Sequence, residues 1–114
     1  MPYKESLMPN SSYMAGYRFE RRVMERLRGL GWTVFRQGKS KFPDIFALKP
    51  GKTWLVECKY GLHPRLSVWE REELARLSVS SGATAVYAHA KHRRDVEFEV
   101  LKEHQASFID EVIR

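Results

Sequence analysis

Three carboxylates in this sequence stand where a negative charge is hard to keep. Asp44 follows Pro43, Glu57 lies thirteen residues further on, and Lys59 comes two residues after that. Between them, Lys49-Pro50-Gly51-Lys52 puts Pro and Gly at the two central positions of a tight turn. A two-residue turn there places Asp44 directly opposite Glu57 on neighbouring antiparallel strands. Their side chains then share one face, with Cβ atoms about 4.5–5.5 Å apart. Lys59 points to the same face, because strand side chains alternate with a period of two. Like charges held so close must either share a proton or draw a cation between them. Glu20 is the third acid. It falls on the apolar face of a predicted helix, in line with Tyr17, Met24 and Leu27. A charge on such a face has to be paired or bound to a metal, since burying it alone is costly.

Two facing carboxylates, a third from a neighbouring helix and a lysine make an oxygen-rich site for a hard cation. Mg²⁺ takes oxygen ligands and keeps several waters. It polarises phosphoryl oxygens and lowers the pKa of bound water. Lys59 can stabilise the negative charge that grows in the transition state, or orient the attacking water. Cys58 points away into packing, while its backbone carbonyl lies beside the site. Two plainer readings stand beside this one. Asp44, Lys59 and Glu57 can form a structural salt-bridge cluster, and Glu20 can sit at the edge of its stripe, paired with an arginine.

The charge distribution favours the catalytic reading. The chain has 114 residues and a net charge of +6. Residues 1–57 hold 11 Lys/Arg against 5 Asp/Glu, and residues 58–114 hold 9 against 9. The whole excess therefore surrounds the acids, and a localised basic excess suits a polyanion such as nucleic acid. Basic residues around misplaced acids point to a metal-dependent phosphodiesterase. Arg18, Arg22, Lys39, Lys41 and Arg65 are candidate phosphate contacts, which position nucleic acid without reading its sequence; each also suits a solvated surface.

The elements that must hold these residues follow from periodicity. Length fits one domain, since domains typically hold about 100–150 residues. Residues 1–11 contain two prolines and no period, and read as an arm before a domain over 12–114. Ser11 and Ser12 are candidate caps of a helix reaching about Leu30, with Tyr13, Tyr17, Val23, Met24, Leu27 and Leu30 on one face. Gly31 is placed to end it. Strands are expected over 32–36, 42–48 and 53–59. Ser67 and Glu70 form a capping box that opens a second helix ending near Gly82. Residues 83–90 read as a strand buried on both faces, and 95–100 as an edge strand. A short closing helix is expected over 102–113. The order is α-β-β-β-α-β-β-α. It implies an α/β domain with a mixed five-stranded sheet: an antiparallel meander, then a right-handed crossover to a parallel strand.

Several classes are excluded or demoted. A single cysteine rules out an intrachain disulfide framework and Cys-rich zinc modules. His63, His89, His92 and His104 lack the spacing of a four-ligand zinc site. No apolar run approaches the ~20 residues of a membrane span, and no signal-peptide pattern is seen, so the cytoplasm is the expected location. Trp32, Trp54 and Trp69 can stack on bases, but packing in a core or dimer suits them better.

Pro43-Asp44, twelve residues, then Glu57-Cys58-Lys59 resembles the PD-(D/E)xK nuclease pattern, with Glu20 as its upstream acid. Gly16-Tyr17-Arg18-Phe19-Glu20-Arg21 resembles the opening motif of the archaeal-type Holliday junction resolvases. So does Val34-Phe35-Arg36 leading to Ser40, Lys41 and Asp44. The resemblance covers about residues 16–100. It implies a single restriction-endonuclease-like domain. It implies that Glu20, Asp44, Glu57 and the Cys58 carbonyl coordinate Mg²⁺, with Mn²⁺ as a substitute, and that Lys59 is catalytic. Arg21, Arg36 and Ser40 match positions that contact phosphate. Such enzymes are homodimers that nick opposed strands of a four-way DNA junction symmetrically, with no small-molecule cofactor and no membrane. They occur in archaea and viruses, so a viral or phage source, and a host cytoplasm, also fits. Leu66, Val68, Trp69 and the apolar face of the last strand are candidate dimer contacts. The loop after Lys59 departs from the family pattern. The alternatives are a related small nuclease acting on other DNA structures, or a non-catalytic nucleic-acid-binding domain of the same fold.

Overall fold

The computed structural model describes residues 11–38 and 41–101. The expected arm before residue 11, the loop residues Lys39 and Ser40, and the expected closing helix over 102–113 lie outside the described residues. The elements are α1 (Ser11–Gly29), β1 (Thr33–Arg36), β2 (Ile45–Lys49), β3 (Lys52–Tyr60), α2 (Val68–Ser81), β4 (Thr84–Ala90) and β5 (Glu97–Val100). They form one five-stranded sheet in the order β1-β2-β3-β4-β5. The first three strands pair antiparallel, β3 pairs parallel with β4, and β5 closes the sheet antiparallel. This is the mixed α/β sheet expected from the element order.

Period-two alternation on central strands sends side chains into two cores. Phe19, Val23, Met24 and Leu27 of α1 pack with Val34, Ile45, Ala47, Val56, Val86 and Ala88. On the other side, Leu74 of α2 packs with Leu55, Leu66, Ala85 and Tyr87. A sheet covered on both faces needs central strands apolar on both, and β4 is so. Trp32 and Trp54 meet in the first core with ring centres 4.4 Å apart. Trp69, in contrast, is exposed on α2.

α2 begins and ends as its sequence dictates. The Glu70 N–H donates to Ser67 Oγ at 3.0 Å, and the Ser67 N–H donates to Glu70 Oε1 at 2.8 Å. Both halves of the capping box are therefore made. Gly82 closes the helix with φ of 77°, a left-handed conformation that glycine adopts without a Cβ penalty.

Several boundaries differ from those expected. Both Ser11 and Ser12 lie inside α1 rather than capping it, as serine is only mildly unfavourable within a helix. α1 ends one residue early, with Gly31 at φ of 94°, so Leu30 falls past the helix and is 55% exposed. Phe19 fills the core face instead, at 1% exposure. β2 begins at Ile45 rather than Phe42, because Pro43 has no N–H to give a ladder. Leu66 is buried in the core beneath α2, whereas Val68, Trp69 and Val100 are exposed. No helix among the described residues is long and apolar enough to cross a membrane.

The Leu27 and Leu30 side chains separate these packing claims. Leu27→Ala should lower the unfolding free energy by about 2–5 kcal/mol. Leu30→Ala should stay within about 0.5 kcal/mol of the parent. Urea denaturation of the two variants checks both values.

Candidate active site

The pairing of β2 with β3 matches Ile45 to Val56 as its last rung. One step further the chain places Asp44 opposite Glu57. The backbone there is held by side chains instead of a ladder. The Asp44 N–H donates to Glu57 Oε1 at 3.2 Å, and the Cys58 N–H donates to Asp44 Oδ2 at 2.9 Å. The Asp44 carbonyl accepts from the Gln37 N–H at 2.8 Å, tying the site to the end of β1. Glu57 sits on a central strand and is the one buried charged residue among the described residues, 6% exposed.

Burial shifts both acids upward, and a neighbouring negative charge adds to each. Burial first, then the Asp44 charge, pushes the Glu57 carboxyl up to about 8, against the opposing pull of Lys59. Asp44 is also raised, by burial and by the Glu20 charge, with the Cys58 N–H working the other way. Burial raises the Cys58 thiol well above its ordinary value, and its side chain packs against the α1 core. Cys58 thus contributes at the site through its backbone.

Lys59 and Glu20 have partners that the sequence showed only in part. Lys59 Nζ lies 2.5 Å from Glu70 Oε2 and 3.9 Å from Glu57 Oε2. Its main partner is therefore Glu70, not the Asp44–Glu57 pair. Burial works to raise the Glu70 carboxyl, but hydrogen bonds from Lys59 and Ser67 outweigh it and hold the carboxyl below its ordinary value. Glu20 Oε1 accepts from Arg36 Nε at 2.7 Å, and Arg36 also lies over the Tyr17 ring at 5.2 Å. That hydrogen bond raises the Arg36 pKa. Glu20 stands at the stripe's edge, paired with an arginine.

Among the described residues, no three His, Cys, Asp or Glu side chains converge to hold a metal ion. The two carboxylates that face each other directly are Asp44 and Glu57, with the Glu20 charge close enough to act on Asp44. That suits Mg²⁺, which is usually bound by one or two carboxylates and completed by waters and substrate phosphates. It also suits the electrostatics, since a cation offsets the negative charges that help raise these acids, Asp44 acting on Glu57 and Glu20 on Asp44.

Of the candidate phosphate contacts, Arg18 and Arg21 are exposed on α1, and Lys41 and Arg65 are exposed in loops. Arg22 is engaged: its guanidinium donates to the Arg94 carbonyl at 2.8 Å and lies 5.7 Å from the Phe19 ring centre. Lys39 and Ser40 lie outside the described residues. His89 pairs with Glu99 at 3.2 Å, and His92 stacks on Tyr60 with ring centres 5.1 Å apart.

Sequence reasoning missed two features. The Ser67–Glu70 spacing marks Glu70 as a cap alone, although its carboxylate has a second oxygen. Lys91, Arg93 and Arg94 line an open groove with Pro64, His89, Asp95 and Glu97. A half-chain charge balance of zero conceals that local basic run.

Comparison with known proteins adds to this geometry. The sequence model of the archaeal Holliday junction resolvase (Hjc) family matches residues 11–111. No curated protein matches the chain in sequence. The solved structure of Hjc, a Holliday junction resolvase from the archaeal hyperthermophile Archaeoglobus fulgidus, is similar with a TM-score of 0.66 and 28% identity. The match covers 75% of this chain and 72% of that one.

The raised Glu57 carboxyl gives folding a pH dependence. The fold favours the protonated form, so its contribution is fully present below the ordinary value of 4.5 and is lost as pH rises through about 8. In EDTA, the wild-type melting temperature should fall across this window by at least about 4 °C more than that of Glu57→Gln, the shift of a ~1 kcal/mol change in a small domain. Thermal melts of the two proteins from pH 4.5 to 9 measure the difference.

Proposed function

The chain belongs to the archaeal Holliday junction resolvase family, and from that premise we propose that it resolves four-way DNA junctions as a divalent-metal-dependent endonuclease. The observation that carries the chemistry is the Asp44–Glu57 pair, a half-buried and a buried carboxylate facing each other beside a lysine. Asp44 and Glu57 would hold Mg²⁺ or Mn²⁺, with the Cys58 carbonyl alongside. When bound, the cation supplies Lewis-acid polarisation of the scissile phosphate and a water of lowered pKa.

The protein's own residues supply the rest. Lys59 presents a fixed positive charge for the negative charge that grows on the phosphoryl oxygens. Glu20 and Arg36, joined at 2.7 Å, form a second ionic pair, whose acid is close enough to raise Asp44. In this reading Arg36 meets a neighbouring phosphate and Glu20 acts on the cation side of the site. Exposed Arg18, Arg21, Lys41 and Arg65 draw in the phosphate backbone, which such cations bind without sequence preference.

Symmetric nicking of a junction needs two centres, and each copy of this domain carries one. A two-fold homodimer supplies the second. The exposed apolar Val68 and Trp69 on α2 and Val100 on β5 are the surfaces such a pair would use.

A synthetic four-way junction incubated with the protein and Mg²⁺ tests the reading. Wild type should release paired nicked duplexes while sparing linear duplex of the same sequence. Asp44→Asn should cut at least about a hundredfold more slowly, beyond the ten- to hundredfold cost of losing an outer-sphere partner of a metal. It should bind the junction as well as or better than wild type, because a charge that repels phosphate is gone. A junction left intact by wild type with every divalent metal, or cut equally by both proteins, would refute it.

A further inference from the structure

One carboxylate in this protein performs two separate tasks. Glu70 Oε1 accepts the Ser67 N–H at 2.8 Å and so closes the capping box of α2. Glu70 Oε2 accepts from Lys59 Nζ at 2.5 Å. The start of α2 and the lysine on β3 are thereby joined through a single planar group. Both partners are largely sheltered, with side chains 28% exposed for Lys59 and 16% for Glu70.

A lysine needs such a partner here. Its stem has several freely rotating bonds, and its ammonium is a point charge with no preferred direction. The other acid within reach is Glu57, whose Oε2 lies 3.9 Å from Nζ. Left alone, the ammonium would close on that more deeply buried acid. It would then neutralise the charge that draws a divalent cation, and leave the place where it can serve a phosphate. A second carboxylate held closer to Nζ, at 2.5 Å, prevents this. Glu70 is fixed because its other oxygen is bound to the backbone of a helix cap.

We propose that Glu70 is a positioning residue for cleavage: it holds Lys59 away from Glu57, so that Glu57 stays available to the cation and Lys59 to the scissile phosphate. The proposal rests on the reading of Asp44, Glu57 and Lys59 given above. Its chemistry requires a carboxylate specifically. Both oxygens accept, whereas an amide has one accepting oxygen and cannot keep both bonds.

Glu70→Gln and Ser67→Ala separate positioning from helix capping. Ser67→Ala removes the hydroxyl that accepts from the Glu70 N–H, yet leaves both bonds of the Glu70 carboxylate. Ser67→Ala should lower the melting temperature but keep the rate of junction cleavage at saturating substrate within about twofold. Glu70→Gln should lower that rate at least about tenfold, the scale on which misplaced catalytic groups act, with KM for the junction within about twofold. Binding of Mn²⁺ without DNA, followed by loss of the free-ion paramagnetic resonance signal, should weaken about threefold or more in Glu70→Gln and hold in Ser67→Ala.

Glu70→Gln that cuts and binds Mn²⁺ like wild type would overturn the proposal. So would a loss of rate that Ser67→Ala reproduces. Lys59→Ala keeps the two levels distinct. If it is inactive while Glu70→Gln is fully active, only the role of Glu70 fails. If Lys59→Ala cuts at the wild-type rate, the catalytic reading of the lysine fails and the proposal with it.

Discussion

Repulsion between Asp44 and Glu57 is built into the register of the β2–β3 hairpin. The Pro50-Gly51 turn fixes which residues oppose each other, and a slip of one residue would turn every side chain of β2 to the other face. Ile45, Ala47 and Val56 belong in the core beneath α1. The apolar pattern therefore enforces the register, and the register enforces the juxtaposition of two acids. The Asp44 charge helps raise the Glu57 carboxyl, so the empty protein favours a proton there, and an entering cation would take the proton's place. Cation binding would thus compete with a proton at a place that the hydrophobic core holds.

The surrounding charges can be understood as management of that pair. Cys58 N–H and Asp44 N–H each donate to one of its oxygens, which sets the orientation of both carboxylates. Glu20 is restrained by Arg36, and Lys59 by Glu70. Each of these ion pairs brings together a helix and a strand: α1 with β1, and α2 with β3. The charged ends of Glu20, Arg36, Lys59 and Glu70 are thereby tied to regular elements and not to loops. In the proposed function the exposed arginines and lysines draw in a polyanion, and the acids would receive the metal.

Much of this was legible in the sequence, and the reasons are specific. The hairpin was readable because a Pro-Gly turn and period-two alternation are local rules. α2 was readable from Ser67 and Glu70 at one end and Gly82 at the other. What failed depended on how distant elements dock. Glu20 looked buried by helical phase, but α1 is rotated so that Phe19 takes the core position and Glu20 meets Arg36 on β1. Glu70 as partner of Lys59 needed the packing of α2 across the sheet, which periodicity does not encode. β2 started late because one proline lacks a donor, a local rule applied too loosely.

Anomalous diffraction from crystals soaked in Mn²⁺ tests most directly whether the facing acids are the cation site. A single strong peak between the Asp44 and Glu57 carboxylates, lost in Asp44→Asn, is the expected result. A map with no peak there, from protein that cleaves junctions in the same Mn²⁺ buffer, would contradict it. So would a peak elsewhere with Lys59 Nζ lying between the two acids.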